Sequence, residues 1–239
     1  PGMVLPGIWI ESDPASTRQP VILYLHDEGK TKLVGDTALN QLVRTAGFRV
    51  LAVDLRGMGE TAPGEEAKFW DFLAGKPIFA QRVADVRSIL CWLAQPQNEI
   101  GSVHVWAQGV SALCAAFAAA LEKNVSTLTL EDPLLSFESV VTVQVPTYRQ
   151  KIMVPGVLQR FDLPQLYQAL VPKKVTLINP LHGDRRPASG AEADLVYQPV
   201  AEVYALLDQQ QRWGVVIAVD QQERTQRLLA TFAQPSDGQ

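Results

Sequence analysis

The residues that could do chemistry in this chain stand where runs of β-forming side chains give way to glycines and charged groups. The most informative junction is Val105-Trp106-Ala107-Gln108-Gly109. A serine that attacks an acyl carbon sits on a sharp strand-to-helix turn. That turn reads G-x-S-x-G because the serine holds a strained conformation between small neighbours. Aligned on its last glycine, the pentad puts Ala107 in the nucleophile position. A methyl group has no lone pair to offer, so no acyl-enzyme can form through it, whatever base stands nearby. Val105 in the first glycine position marks more drift than a single Ser→Ala exchange would produce. One helical turn further on, Ser111 carries a hydroxyl, which is expected to bond back to the helix backbone.

Such a junction needs a strand and a helix to hold it, and the sequence supplies both repeatedly. Short β-rich runs alternate with longer stretches of helical period, the pattern of an α/β fold with a mostly parallel sheet of about seven or eight strands and helices on both faces. Gly7 to Glu11 and Pro20 to His26 read as strands forming an opening hairpin across a polar turn. Asp36 to Thr45 reads as a helix with Asp36 at its N-cap and Gly47 closing it, and Phe48 to Asp54 as the next strand. Pro77 to Gln95 sets Val83, Val86, Ile89, Leu90 and Leu93 on one helical face. Ser102 to Trp106, Val125 to Glu131, Lys174 to Asn179 and Val215 to Val219 read as strands. Val110 to Lys123 and Pro199 to Arg212 read as helices, the second with its proline in the first turn, and a last helix runs to Phe232. Positions 133–172, with prolines at 146, 155 and 164, read as an irregular excursion at the carboxyl edge of the sheet. One domain over 1–239 accounts for the length.

Several stretches together resemble the bacterial acetyl xylan esterase-like α/β hydrolases: Pro20 to Gly29, Phe48 to Thr61, Gly75 to Arg87, Ser102 to Leu121, Leu128 to Leu135, and Val154-Pro155-Gly156-Val157-Leu158 with Phe161-Asp162-Leu163-Pro164. The resemblance implies an α/β-hydrolase fold and, because the group includes chains with two hydrolase domains in tandem, a degenerate second domain of a longer protein. It implies an oxyanion pocket at His26, Asp27 and Gly29 with Gln108 and Gly109, where backbone N–H groups would face developing charge. Asp54-Leu55-Arg56-Gly57-Met58-Gly59-Glu60-Thr61 matches the D-x-R-G-x-G-x-S/T turn of such folds, with Arg56 bracing the loop. The acid is expected after Asn179-Pro180, where Asp184 could serve as a shifted carboxylate. The base is expected after the last strand, yet Val219-Asp220-Gln221-Gln222-Glu223-Arg224 has no histidine. His104 reads as a core residue within a strand, and His182 as a loop histidine. A fallback set of Ser111, His182 and Asp132 can be written, but nothing in the spacing compels it.

The bulk properties narrow the field. A formal net charge of -4 with 19% charged residues gives no basic field for a phosphate backbone, so nucleic acid is not an expected partner. The apolar runs are too short for a bilayer span, and a soluble chain is expected. No ligand spacing for a metal and no phosphate loop is present, so no cofactor is expected. Cys91 and Cys114 both read as buried thiols. Phe69 and Trp70 could stack on a sugar ring or pin a loop to the core. The chain opens at Pro1 without methionine and reads as a processed chain or an excised domain. Three functions remain in view: a catalytically degenerate hydrolase domain, an active carboxylic ester hydrolase with a relocated triad or an engineered alanine at 107, and a packing partner for a sister hydrolase domain. A carbohydrate or ester is the ligand that the resemblance implies.

Overall fold

Burial along each strand dictates its place in the sheet. The computed structural model describes residues 3–11, 18–62 and 75–233, so Phe69 and Trp70 lie outside the described residues. Its strands are β1 (Gly7–Ile10), β2 (Val21–Leu25), β3 (Arg49–Val53), β4 (Val103–Gln108), β5 (Val125–Glu131), β6 (Lys174–Ile178) and β7 (Trp213–Val216). They form one seven-stranded sheet in the order β1-β3-β2-β4-β5-β6-β7, parallel throughout except for β1. All five residues of β2 are buried, which requires cover on both faces and a neighbour on each side. β1 alternates between exposed and half-buried and can sit only at an edge. The expected opening hairpin is therefore not formed. β1 pairs with β3, Gly7 opposite Val53, while β2 lies between β3 and β4.

The helices are α1 (Thr37–Ala46), α2 (Ile78–Leu93), α3 (Val110–Leu121), α4 (Glu138–Thr142), α5 (Leu163–Gln168), α6 (Gly190–Leu206) and α7 (Gln221–Ala233). Side chains alternate across a strand, so each strand feeds two cores. Val21, Leu23 and Leu25 of β2 join Val105 and Ala107 of β4 beneath α2, α3 and α6. Ile22, Tyr24 and Trp106 face the opposite way, against Leu39 and Leu42 of α1 and Leu228 and Phe232 of α7. Helices thus cover both faces, as expected of an α/β-hydrolase fold. Asp36 caps α1 by accepting from Ala38 N and Leu39 N, and Gly47 ends it at φ +67°, as the sequence suggests.

Two other expectations fail for local reasons. The helix expected to begin at Pro199 begins at Gly190 instead, because Ser189 and Glu192 form a capping box that starts it nine residues earlier. Pro199 then sits in the helix interior on the exposed side, where the Leu195 carbonyl left without its N–H partner can meet water. Cys114 is buried, but Cys91 is exposed, since it falls on the outer side of α2 opposite the face that buries Val86, Ile89, Leu90 and Leu93. The stretch 133–172 is the expected excursion, holding α4, α5 and short helical turns. It is tied to the turn after β6 through Leu135 N to Leu181 O and Thr147 N to Gly183 O.

Candidate functional site

The turn from β4 into α3 is the centre of the site, and its sharp bend lies two residues beyond the expected position. Ala107 is an ordinary strand residue, paired with Leu25 on one side and Leu130 on the other, with its methyl group wholly buried in the core. The strained conformation, φ +67° and ψ -128°, belongs to Gly109. Gly109 N still donates to Glu131 O at 2.9 Å, so the backbone reverses immediately after its last contact with β5. A pattern in the sequence matches this placement. Ala107-Gln108-Gly109-Val110-Ser111 has small residues two positions before and two positions after the bend, the spacing that G-x-S-x-G provides around its serine. On that alignment the position of the nucleophile is glycine, which has no side chain, and Ser111 fills the second small-residue position.

The loop after β2 closes over this bend. Asp27 Oδ2 accepts from Val110 N at 2.9 Å, and Oδ1 accepts from Ser111 N at 2.8 Å and from Ser111 Oγ at 3.0 Å. Ser111 is fully buried, with its Oγ also 3.3 Å from Met58 Sδ. Its hydroxyl thus reaches across to Asp27 rather than back to its own helix. Gly29 N donates to His26 O, and Glu28 N donates to His26 Nδ1 at 3.0 Å, so the loop's amides turn inward. Of the expected oxyanion donors, the N–H groups of Gly29 and Gly109 are thus already used, by His26 O and Glu131 O. Gly29, at φ +95°, packs so closely on Asp54 and Gly59 that an added Cβ would lie 2.8 Å from Asp54 Oδ1.

His26, Gln108 and Asp132 stand half-buried at the ends of β2, β4 and β5. Gln108 Nε2 donates to Asp132 Oδ2 at 2.6 Å. Burial lowers the His26 pKa, partly opposed by the nearby Asp27 and Glu28 carboxylates. The other candidates do not join this pair. His182 Nε2 faces Arg186 Nη2 at 2.9 Å and Glu192 Oε1 at 3.3 Å, in the cap of α6. Asp184 is exposed and accepts from Arg186 N within its own turn. Ser111, His182 and Asp132 each bond elsewhere, so the fallback set is not assembled.

After β7, where a base was sought, Asp220 caps the following helix through Glu223 N. Arg224 of that helix reaches back to Glu131 Oε2 at 2.6 Å and Asp36 Oδ2 at 3.2 Å, with its guanidinium 5.8 Å from the Trp106 ring centre. Trp106 Nε1 donates to the same Glu131 oxygen at 2.9 Å. Arg56 braces the β3 exit loop as expected, gripping Asp85 through Nε at 2.7 Å and through Nη2. Sequence reasoning named Asp27 and Gly109 as pocket residues but did not foresee Gly109 at the strained bend or Asp27 bonded to Val110 and Ser111, and it missed the Arg224 cluster. It also missed Tyr148 of the excursion, whose buried hydroxyl has no hydrogen-bond partner among the described residues and whose pKa burial pushes up to about 12. An open depression of about 500 Å3 lies on the excursion between Glu138, Leu158, Arg160, Phe161, Asp162 and Gln165, none of which belongs to the bend. No group of three or more His, Cys, Asp or Glu side chains converges as a metal site among the described residues, and no described helix is long and apolar enough to cross a membrane.

No protein-family model and no curated protein sequence matches the chain. Solved structures do. A Bacteroides fragilis protein assigned as an acetyl xylan esterase superposes with a TM-score of 0.71 at 16% identity, over 90% of this chain and 62% of its own. The acetyl xylan esterase of a Paenibacillus species gives 0.61 at 16% identity, covering 95% of this chain and 79% of that one. A Butyrivibrio proteoclasticus protein solved with ferulic acid gives 0.62 at 13% identity, covering 96% of each chain. The present chain thus spans less than two thirds of the Bacteroides structure. Likeness at such low identity reaches the fold alone: the chain has an α/β-hydrolase fold similar to that of acetyl xylan esterases and related esterases.

Proposed function

We propose that this chain is a catalytically degenerate α/β-hydrolase domain of the acetyl xylan esterase-like kind. It serves for structure, for packing against a sister hydrolase domain, or for holding a carbohydrate or ester ligand that it does not cleave. One observation carries the reading: the residue at the strained bend after β4 is Gly109, which offers no atom to attack an acyl carbon. Two others support it. The hydroxyl two residues beyond the bend, on Ser111, is buried and bonded to Asp27. No histidine follows β7 in the sequence, and Arg224 takes up the space between Glu131 and Asp36.

The test is turnover by the purified chain of p-nitrophenyl acetate and acetylated xylan. Release at the rate of buffer alone is the expected result, whereas serine hydrolases with complete machinery exceed the uncatalysed rate by on the order of 10^6 or more. Saturable turnover lost on Ser111→Ala or His182→Ala would revive the alternative of an active carboxylic ester hydrolase with a relocated triad.

A further inference from the structure

The Asp27 carboxylate occupies the space a side chain at position 109 would need. A Cβ placed on Gly109 would lie 2.8 Å from Asp27 Cγ and closer still to Oδ2. The same two oxygens satisfy the N–H groups of Val110 and Ser111 and the Ser111 hydroxyl. Val110 and Ser111 open a twelve-residue helix whose Gly109 cap has no side chain to donate or accept. Its free amides and positive pole therefore favour an anion, and Asp27 supplies one from another element. On the neighbouring α2, the buried Arg82 has an Nη1 without a hydrogen-bond partner among the described residues, and Asp27 is among the charges acting on it.

We infer that Asp27 is an internal ligand that closes this seat. A carboxylate at 27 and a glycine at 109 form one coupled state, which admits neither a side chain at the bend nor an external carboxylate at the head of α3. The inference goes beyond the functional reading above. It concerns what fills the seat, not whether an ester is cleaved, and either can fail without the other.

Four proteins test it: the unmodified chain, Asp27→Gly, Gly109→Ala and the double variant. Each is followed by thermal unfolding and by the amide resonances of Val110 and Ser111, during titration with sodium formate against sodium chloride at equal ionic strength. The left-handed backbone strain at 109 is present in both backgrounds and cancels in the comparison. Asp27→Gly is expected to melt at a lower temperature and to recover most of that loss in formate but not in chloride. The Val110 and Ser111 amides should shift saturably in this variant and stay fixed in the unmodified chain. Gly109→Ala is expected to depress melting far more with Asp27 present than in the Asp27→Gly background. An equal depression in both backgrounds would overturn the inference, as would formate acting alike on Asp27→Gly and the unmodified chain. If Asp27→Gly does not fold, Asp27→Ser takes its place in the same titration and is read by the same criteria.

Discussion

His104 lies on the β4 face covered by α1 and α7, with its ring 5.3 Å from Phe48 and 5.9 Å from Phe232. Its Nε2 is 2.7 Å from Ser102 Oγ, while Nδ1 has no hydrogen-bond partner among the described residues. The expected core histidine is therefore buried but only half satisfied. Burial, with a smaller push from Lys174, lowers its pKa from 6.5 to about 4. The folded state then refuses a proton that the unfolded chain accepts. Stability from this residue is full above pH 6.5 and is lost as pH falls toward 4. Between pH 7 and pH 4.5 the loss amounts to about 2 kcal/mol. His104→Phe should remove that component, seen as a smaller shift in denaturation midpoint between the two pH values. An unchanged shift would mean that the ring is not the buried neutral base described here.

At the same scale, the chemistry of the bend was only half legible in the sequence. That no residue from Val105 to Gly109 carries a hydroxyl or thiol could be read directly. The position of the bend could not, since Gln108-Gly109 aligns with the motif in two registers, and only the backbone angles choose between them. The partnership of Asp27 with Ser111 joins positions 84 apart and leaves no local signal.

Elements were legible where local chemistry decided them. The Asp36 cap, the Gly47 stop and the apolar face of α2 follow from spacing, and the structure keeps all three, with Val83 half-buried at the margin of that face. β1 and Pro199 were misread because pairing and helix starts depend on competing partners. β2 needed two buried neighbours, and the Ser189 capping box outweighed the preference of proline for a first turn. Pro199 within α6 makes a direct prediction. Replacement by alanine restores an N–H to the Leu195 carbonyl and removes ring crowding, while the Gln168 Nε2 bond to the residue 199 carbonyl at 3.0 Å can remain. A gain of about 1 kcal/mol is expected. It should appear as a rise of about 2–4 °C in melting temperature, the usual conversion for a chain of this size. A fall would show that the proline is accommodated more fully than the missing bond implies.

For the molecule as a whole, the final helix is fastened to the sheet by one ionic cluster. Glu131 is buried at the end of β5 and Arg224 comes from α7, with Asp36 and Trp106 completing the set. Burial raises the Glu131 pKa, while hydrogen bonds from Arg224 and Trp106 pull it down. Breaking such a pair costs more than the pair contributes, because the remaining charge is stranded. Arg224→Leu should destabilise the chain by about 3 kcal/mol and speed amide exchange in Gln221–Ala233. Adding Glu131→Gln should recover much of the loss, since the amide oxygen can still accept from Trp106. Failure of the second change to help would remove the stranded carboxylate as the cause. The fold class was legible from the βα alternation, but this fastening was not: Asp36, Glu131 and Arg224 span almost the whole described chain.

The proposed loss of catalysis turns on whether any activated hydroxyl stands at the turn into α3, and active-site phosphonylation probes this without assuming a substrate. The purified chain is incubated with a fluorophosphonate, which reacts with serine hydroxyls activated by a neighbouring base, and its intact mass is measured. An unmodified mass after prolonged exposure is expected. Stoichiometric addition of one phosphonyl group, traced to Ser111 and abolished by Ser111→Ala, would contradict it.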